Sequence, residues 1–192
     1  MNVFVEDFAL PDVDRREWFR YMGARSVSDE LRTLAESCLA EAEGCFHGRV
    51  CYGELPTSAT EWNSRSVRDL LSNCDRTVIF AATVGLDIDR LIAKYSRIAP
   101  ARALCFQALG TERIEALCDV FCEKMRERVH KNGENVTSRF SPGYGDFPLE
   151  TQKEVFRLLN CPVRIGLTLN ESLLMSPTKS VTAIMGIRKE TV

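Results

Sequence analysis

The stretch Arg139-Phe140-Ser141-Pro142-Gly143-Tyr144-Gly145-Asp146-Phe147-Pro148 gathers a fixed cation, glycines, prolines and aromatic rings into one short connection between two helical patterns. Each residue type has a physical use. A guanidinium is a planar fork of donors that meets a carboxylate or phosphate with two parallel hydrogen bonds. Proline fixes φ and removes a donor, so Pro142 and Pro148 restrict the backbone. Gly143 and Gly145 admit positive φ and let another group lie against the chain. Taken by itself, the loop fits two roles: a rigid surface turn carrying a solvated arginine, or the anion-binding edge of a ligand site.

Other chemistry-bearing residues are scattered. Cysteines stand at 38, 45, 51, 74, 105, 118, 122 and 161, with no C-x-x-C pair of the kind that zinc and iron–sulfur sites draw on. Cys118 and Cys122 are four apart in a helical pattern and share a face, which would supply half a metal site. The set reads more simply as small apolar residues in a reducing interior. A metal or redox protein built on them stays open as a further function. His47 and His130 are the only histidines, and there is no G-x-S-x-G elbow, H-E-x-x-H helix or P-loop. Arg128-Val129-His130-Lys131-Asn132-Gly133 has the outline of the D-x-H-x-x-G signature of corrinoid-binding modules. It places Arg128 where the Asp belongs and ends a helix, so it is not read as a cobalt-ligand site.

The formal charge of −2 comes from 25 basic and 27 acidic residues without a dense basic cluster, which argues against a nucleic-acid partner. No apolar run reaches membrane-spanning length, and the N-terminus lacks a signal layout. The expected location is the cytoplasm.

Apolar spacing predicts the elements that must position the loop. Residues 1–12 read as an extended arm or edge strand ending at Pro11. Asp14 opens a short helix bearing Trp18, Phe19 and Met22, and Ser28 caps an amphipathic helix that stops at Gly44. A strand covers Arg49 to Tyr52 and closes at Leu55-Pro56, with a second short strand over 57–62. Ser66 starts a short helix through Leu70 and Leu71. Thr77 to Val84 is apolar on both faces and predicts a central strand. Leu86 to Ile98 reads as a helix. Pro100 begins a long helix, kinked near Gly110, that ends at Asn132-Gly133. Beyond the loop, Pro148 leads a helix that Cys161-Pro162 stops; Arg164 to Leu169 and Val181 to Ile187 read as strands around a Ser176-Pro177 turn. Asn135-Val136-Thr137 matches a glycosylation acceptor by chance. One domain over residues 1–192 is expected.

With these segments in place the chain resembles the reactivation domain of cobalamin-dependent methionine synthase, most strongly over residues 77–187. Arg139, Pro142, Gly143, Tyr144 and Pro148 match that family's R-x-x-P-G-Y-x-x-x-P loop. Thr83 and Gly85 match its strand–T-x-G–helix segment, and 119–129 its acidic helix ending in E-R-V. Leu167 to Ser172 and Pro177-Thr178-Lys179-Ser180-Val181 match its T-E-S and P-x-x-S-V elements.

The resemblance implies an α/β domain of the α+β type, with a twisted, mainly antiparallel sheet and packed helices. It implies binding of S-adenosylmethionine and its presentation to a cobalamin oxidised to cob(II), with one electron from a flavodoxin-like donor. On that pattern Arg139 would pair with the ligand's carboxylate, Gly143 would let backbone lie against it, and Ser141 and Tyr144 would line it. Asp119 would meet the ligand's ammonium. The family's domain runs past the final hairpin to a tyrosine at the ligand, whereas this sequence stops at Val192, and no acidic contact is placed in the N-terminal third. The expected role is therefore an accessory component acting in trans on a cobalamin-dependent methionine synthase or other corrinoid protein, which carries the cobalamin. The alternative is a corrinoid-protein docking module that does not use S-adenosylmethionine.

Overall fold

The computed structural model describes residues 1–189. Strands β1 (Val3–Phe8), β2 (Gly48–Pro56), β3 (Arg76–Thr83), β4 (Glu134–Val136) and β7 (Ser180–Lys189) form an antiparallel sheet in the order β1-β2-β3-β7-β4. The short β5 (Thr168–Leu169) and β6 (Met175–Ser176) pair in a separate ribbon. The expected central strand is β3, and its double apolarity has a direct cause. Val78, Phe80 and Ala82 enter one core, while Ile79 and Ala81 enter another.

Helices cover both faces. α1 (Arg15–Tyr21), α2 (Asp29–Glu41), α4 (Asp87–Tyr95) and α5 (Pro100–His130) close the first core; α3 (Arg65–Leu71), α6 (Thr151–Leu159) and α7 (Cys161–Ile165) close the second. The first core centres on Phe121 of α5, whose ring lies 4.8 Å from that of Phe80 and 5.2 Å from that of Tyr52. Asp14 caps α1 by accepting from Arg16 N and Glu17 N, and Ser28 caps α2 by accepting from Leu31 N. A buried pair ties the N-terminal arm to α5. Arg113 Nη2 donates to Glu112 Oε1 at 2.5 Å, Arg113 Nη1 donates to Pro11 O, and Glu112 Oε1 also accepts from Asp14 N at 3.0 Å.

Several local expectations are corrected. The segment 57–62 is no strand: Thr57 N donates to Asp75 O, extending the β2–β3 ladder by one residue, and the chain then turns away through the 3-10 segment Thr57–Ala59. The cap of α3 is Ser64, whose Oγ accepts from Val67 N, and Ser66 lies inside the first turn. Gly110 does not kink α5, which runs unbroken through it; a Cβ there would stand 2.9 Å from Lys179 Cγ, so the glycine makes room for that stem. Cys161-Pro162 ends α6 but also opens α7, since proline is well suited to a helix's first turn. The strand expected over 164–169 is consequently reduced to β5.

Candidate ligand-binding site

The loop after β4 is attached to the sheet before it turns. Phe140 N donates to Ile184 O and Ile184 N to Phe140 O, both at 2.9 Å, so Phe140 forms a bridge with β7. Gly143 has φ +92°, which an L side chain would strain, and its N donates to Phe147 O at 2.8 Å. Phe147 is buried, stacked on Phe140 and set edge-on to Trp62. Asp146 fastens the far side to the N-terminus of α3: its carboxylate accepts from Ser64 Oγ at 2.7 Å, Arg65 N at 2.6 Å and Ser66 N at 3.2 Å. These hydrogen bonds, the Ser64 contact first, hold its pKa well below the usual aspartate range.

Between this loop, α5, α6 and β7 lies a cavity of about 410 Å³, within the usual range for small-molecule sites. Arg139, Ser141 and Tyr144 line it together with Glu115 of α5, Gln152 of α6 and Thr182 of β7; Phe140, Pro142, Met175 and Val181 give it apolar surface. Tyr144 is 68% exposed. Gly143 shapes the loop without lining the cavity. Arg139 Nη2 donates to Glu115 Oε2 at 2.6 Å and to Asp119 Oδ1 at 3.2 Å. Asp119 lies beyond the arginine, in an adjoining acidic hollow with Asp12, Asp14 and Glu17. The N-terminal third thus brings carboxylates into a hollow that Arg139 also lines, a placement its weak motif match did not disclose.

Among the described residues, four buried side-chain polar atoms lack a hydrogen-bond partner: Trp62 Nε1, Arg102 Nε, Gln152 Oε1 and Thr182 Oγ1. Two of the four belong to residues that line this cavity, Gln152 and Thr182. A buried polar group without a partner costs about 1–3 kcal/mol, which a ligand supplying the missing partner would relieve. Glu115, Gln152 and Thr182 were not anticipated from sequence. Each left a signal: Glu115 lies one turn before Asp119, Gln152 interrupts the apolar stripe of Val155, Phe156 and Leu159, and Thr182 is a polar residue in a buried strand.

The cysteines contribute no comparable site. Six are buried, and burial pushes the Cys122 thiol up to about 11 and raises that of Cys118 as well. Among the described residues, no group of three His, Cys, Asp or Glu side chains could hold a metal ion. Nor is any of their helices long and apolar enough to cross a membrane.

A crystal structure described as the MetH reactivation domain bound to AdoHcy matches 100% of this chain and 80% of its own, with a TM-score of 0.76 and 16% sequence identity. At that identity the likeness is one of fold. No curated protein matches the chain. Residues 57–191, which include the loop, α5, α6 and the cavity wall on β7, match the family model for the activation domain of vitamin B12 dependent methionine synthase. With well over half of its length matched, the chain belongs to the family of vitamin B12-dependent methionine synthase activation domains.

Proposed function

We propose that the chain binds S-adenosylmethionine in the Arg139 cavity and supports reductive remethylation of inactive cob(II)alamin carried by a partner, a cobalamin-dependent methionine synthase or another corrinoid methyltransferase, in the cytoplasm. The observation that carries this reading is that one cavity on the family's own loop is lined by a guanidinium and by two residues, Gln152 and Thr182, whose buried side-chain oxygens lack a partner. The AdoHcy in the matching crystal structure supports it.

In this reading Arg139 holds the ligand's carboxylate bidentately. Glu115, with the more exposed Asp119 behind it, meets the ammonium on the same carbon. Gly143 keeps the loop's backbone in position, while Ser141 and Tyr144 flank the ligand at the mouth. Fixing the zwitterion at one end orients the sulfonium toward an approaching partner, and such positioning is what a protein contributes to a methyl transfer. The partner's cobalamin would supply the methyl-accepting centre after receiving one electron from a flavodoxin-like donor, and the ligand's methyl would pass to it as the carbon–sulfur bond broke, the pair staying on sulfur to leave S-adenosylhomocysteine.

One observation favours a second reading. Arg139 is already neutralised by two carboxylates, as it would be in a module that docks on a corrinoid protein and uses no S-adenosylmethionine. Anaerobic spectroscopy separates the two. Conversion of a partner's cob(II)alamin to methylcobalamin, followed by absorbance, should require this chain, the reduced donor and S-adenosylmethionine. Capture of the corrinoid protein with no such conversion would favour docking.

A further inference from the structure

Holding a carboxylate leaves part of the cavity unexplained. A carboxylate has no hydrogen to give, yet Gln152 Oε1 is an acceptor and is buried without a donor. Gln152 is 6% exposed and lies in the first turn of α6, on the stripe whose next members, Val155 and Phe156, pack into the core. An amide there is costly unless something binds it. The ligand's ammonium is not that donor: it shares a carbon with the carboxylate and so stays by Arg139, where Glu115 and Asp119 already supply anions.

The ribose hydroxyls and the base remain. A terminal amide carries an acceptor and a donor side by side, which matches adenine's exocyclic amine and an adjacent ring nitrogen through two parallel hydrogen bonds. Phe140 and Met175, which line the same cavity, offer the flat and polarizable surfaces that a heterocycle packs against. Resting on the assignment of this cavity to an adenosyl ligand, we infer that Gln152 selects the base. Its Oε1 accepts from the exocyclic amine and its Nε2 donates to the neighbouring ring nitrogen. Gln152 is on this account a specificity residue, remote from the transferred methyl.

The test is equilibrium titration of the whole chain with S-adenosylhomocysteine and with its analogue carrying unsubstituted purine in place of adenine. Wild type should prefer the adenosyl ligand on the order of tenfold or more. Gln152→Leu should bind the two alike, near the wild-type affinity for the purine analogue. Arg139→Ala should weaken both and keep the preference. The wild-type comparison needs no variant to fold. Equal wild-type affinities, or a preference that survives in Gln152→Leu, would overturn base selection while leaving the adenosyl assignment standing. Binding of neither ligand would remove both.

Discussion

Arg139 Nη2 lies 2.6 Å from Glu115 Oε2, so the loop's cation and an anion of α5 form one partly buried cluster before any ligand arrives. A ligand carboxylate must share or displace that contact, and a ligand ammonium gains from it. Glu115→Gln is therefore expected to weaken a zwitterionic ligand on the order of tenfold, as loss of a charge-assisted contact does. It should strengthen binding of an analogue that lacks the α-amine. Asp119→Asn should change both less, because the Asp119 side chain is 74% exposed and its pairing is screened by water. Titration of both variants with both ligands checks the ranking.

Thr182 offers a test that separates binding from folding. Its hydroxyl is buried on β7 without a partner, and valine has the same shape without the polar atom. Thr182→Val should leave the melting temperature unchanged or raised, since removing an unsatisfied polar group is neutral or stabilising. Ligand affinity should fall at the same time. A lowered melting temperature with unchanged affinity would assign the hydroxyl to the fold.

Asp146 couples the loop to α3 through its three hydrogen bonds to residues 64–66. Its pKa is lowered from the usual 3.8, so the stability it lends is fully present above that value and is lost as pH falls toward the folded-state pKa. Asp146→Asn should lower the melting temperature at neutral pH, and the gap to wild type should narrow steadily below about pH 4. Affinity for the ligand should drop in the variant because the loop loses its anchor. Thermal melts across pH, paired with titration at neutral pH, examine both effects.

Phe121 is the point where α5 locks onto the sheet, with ring contacts to Phe8, Tyr52 and Phe80. It is 1% exposed. Phe121→Ala should cost about 3–5 kcal/mol in chemical denaturation, the range for deleting a large buried ring. The variant should also loosen the α5 wall that carries Glu115.

Much of this architecture was legible from residue patterns, for reasons that also explain the failures. The 78–82 run has apolar residues at every step, as a strand covered on both sides requires. Ser28, Asp14 and Asn132-Gly133 mark helix ends because their local chemistry fixes them. Gly110 and Cys161-Pro162 misled because each has a purely local meaning that tertiary packing replaced: the Lys179 stem crosses the first, and a new helix begins at the second. The site divides the same way. Arg139, Ser141 and Tyr144 lie within one short loop and could be read as a motif, whereas Glu115, Gln152 and Thr182 arrive from three separate elements. Asp119 has the right helix face but sits one turn beyond the residue that lines the cavity.

The most direct measurement is calorimetric titration with S-adenosylmethionine on wild type, Arg139→Ala and Arg139→Lys. Saturable binding is expected in wild type, weakened at least about tenfold in Arg139→Ala and by less in Arg139→Lys, which keeps the charge but loses the bidentate fork. No saturable heat in wild type, or one affinity shared by all three proteins, would contradict the account.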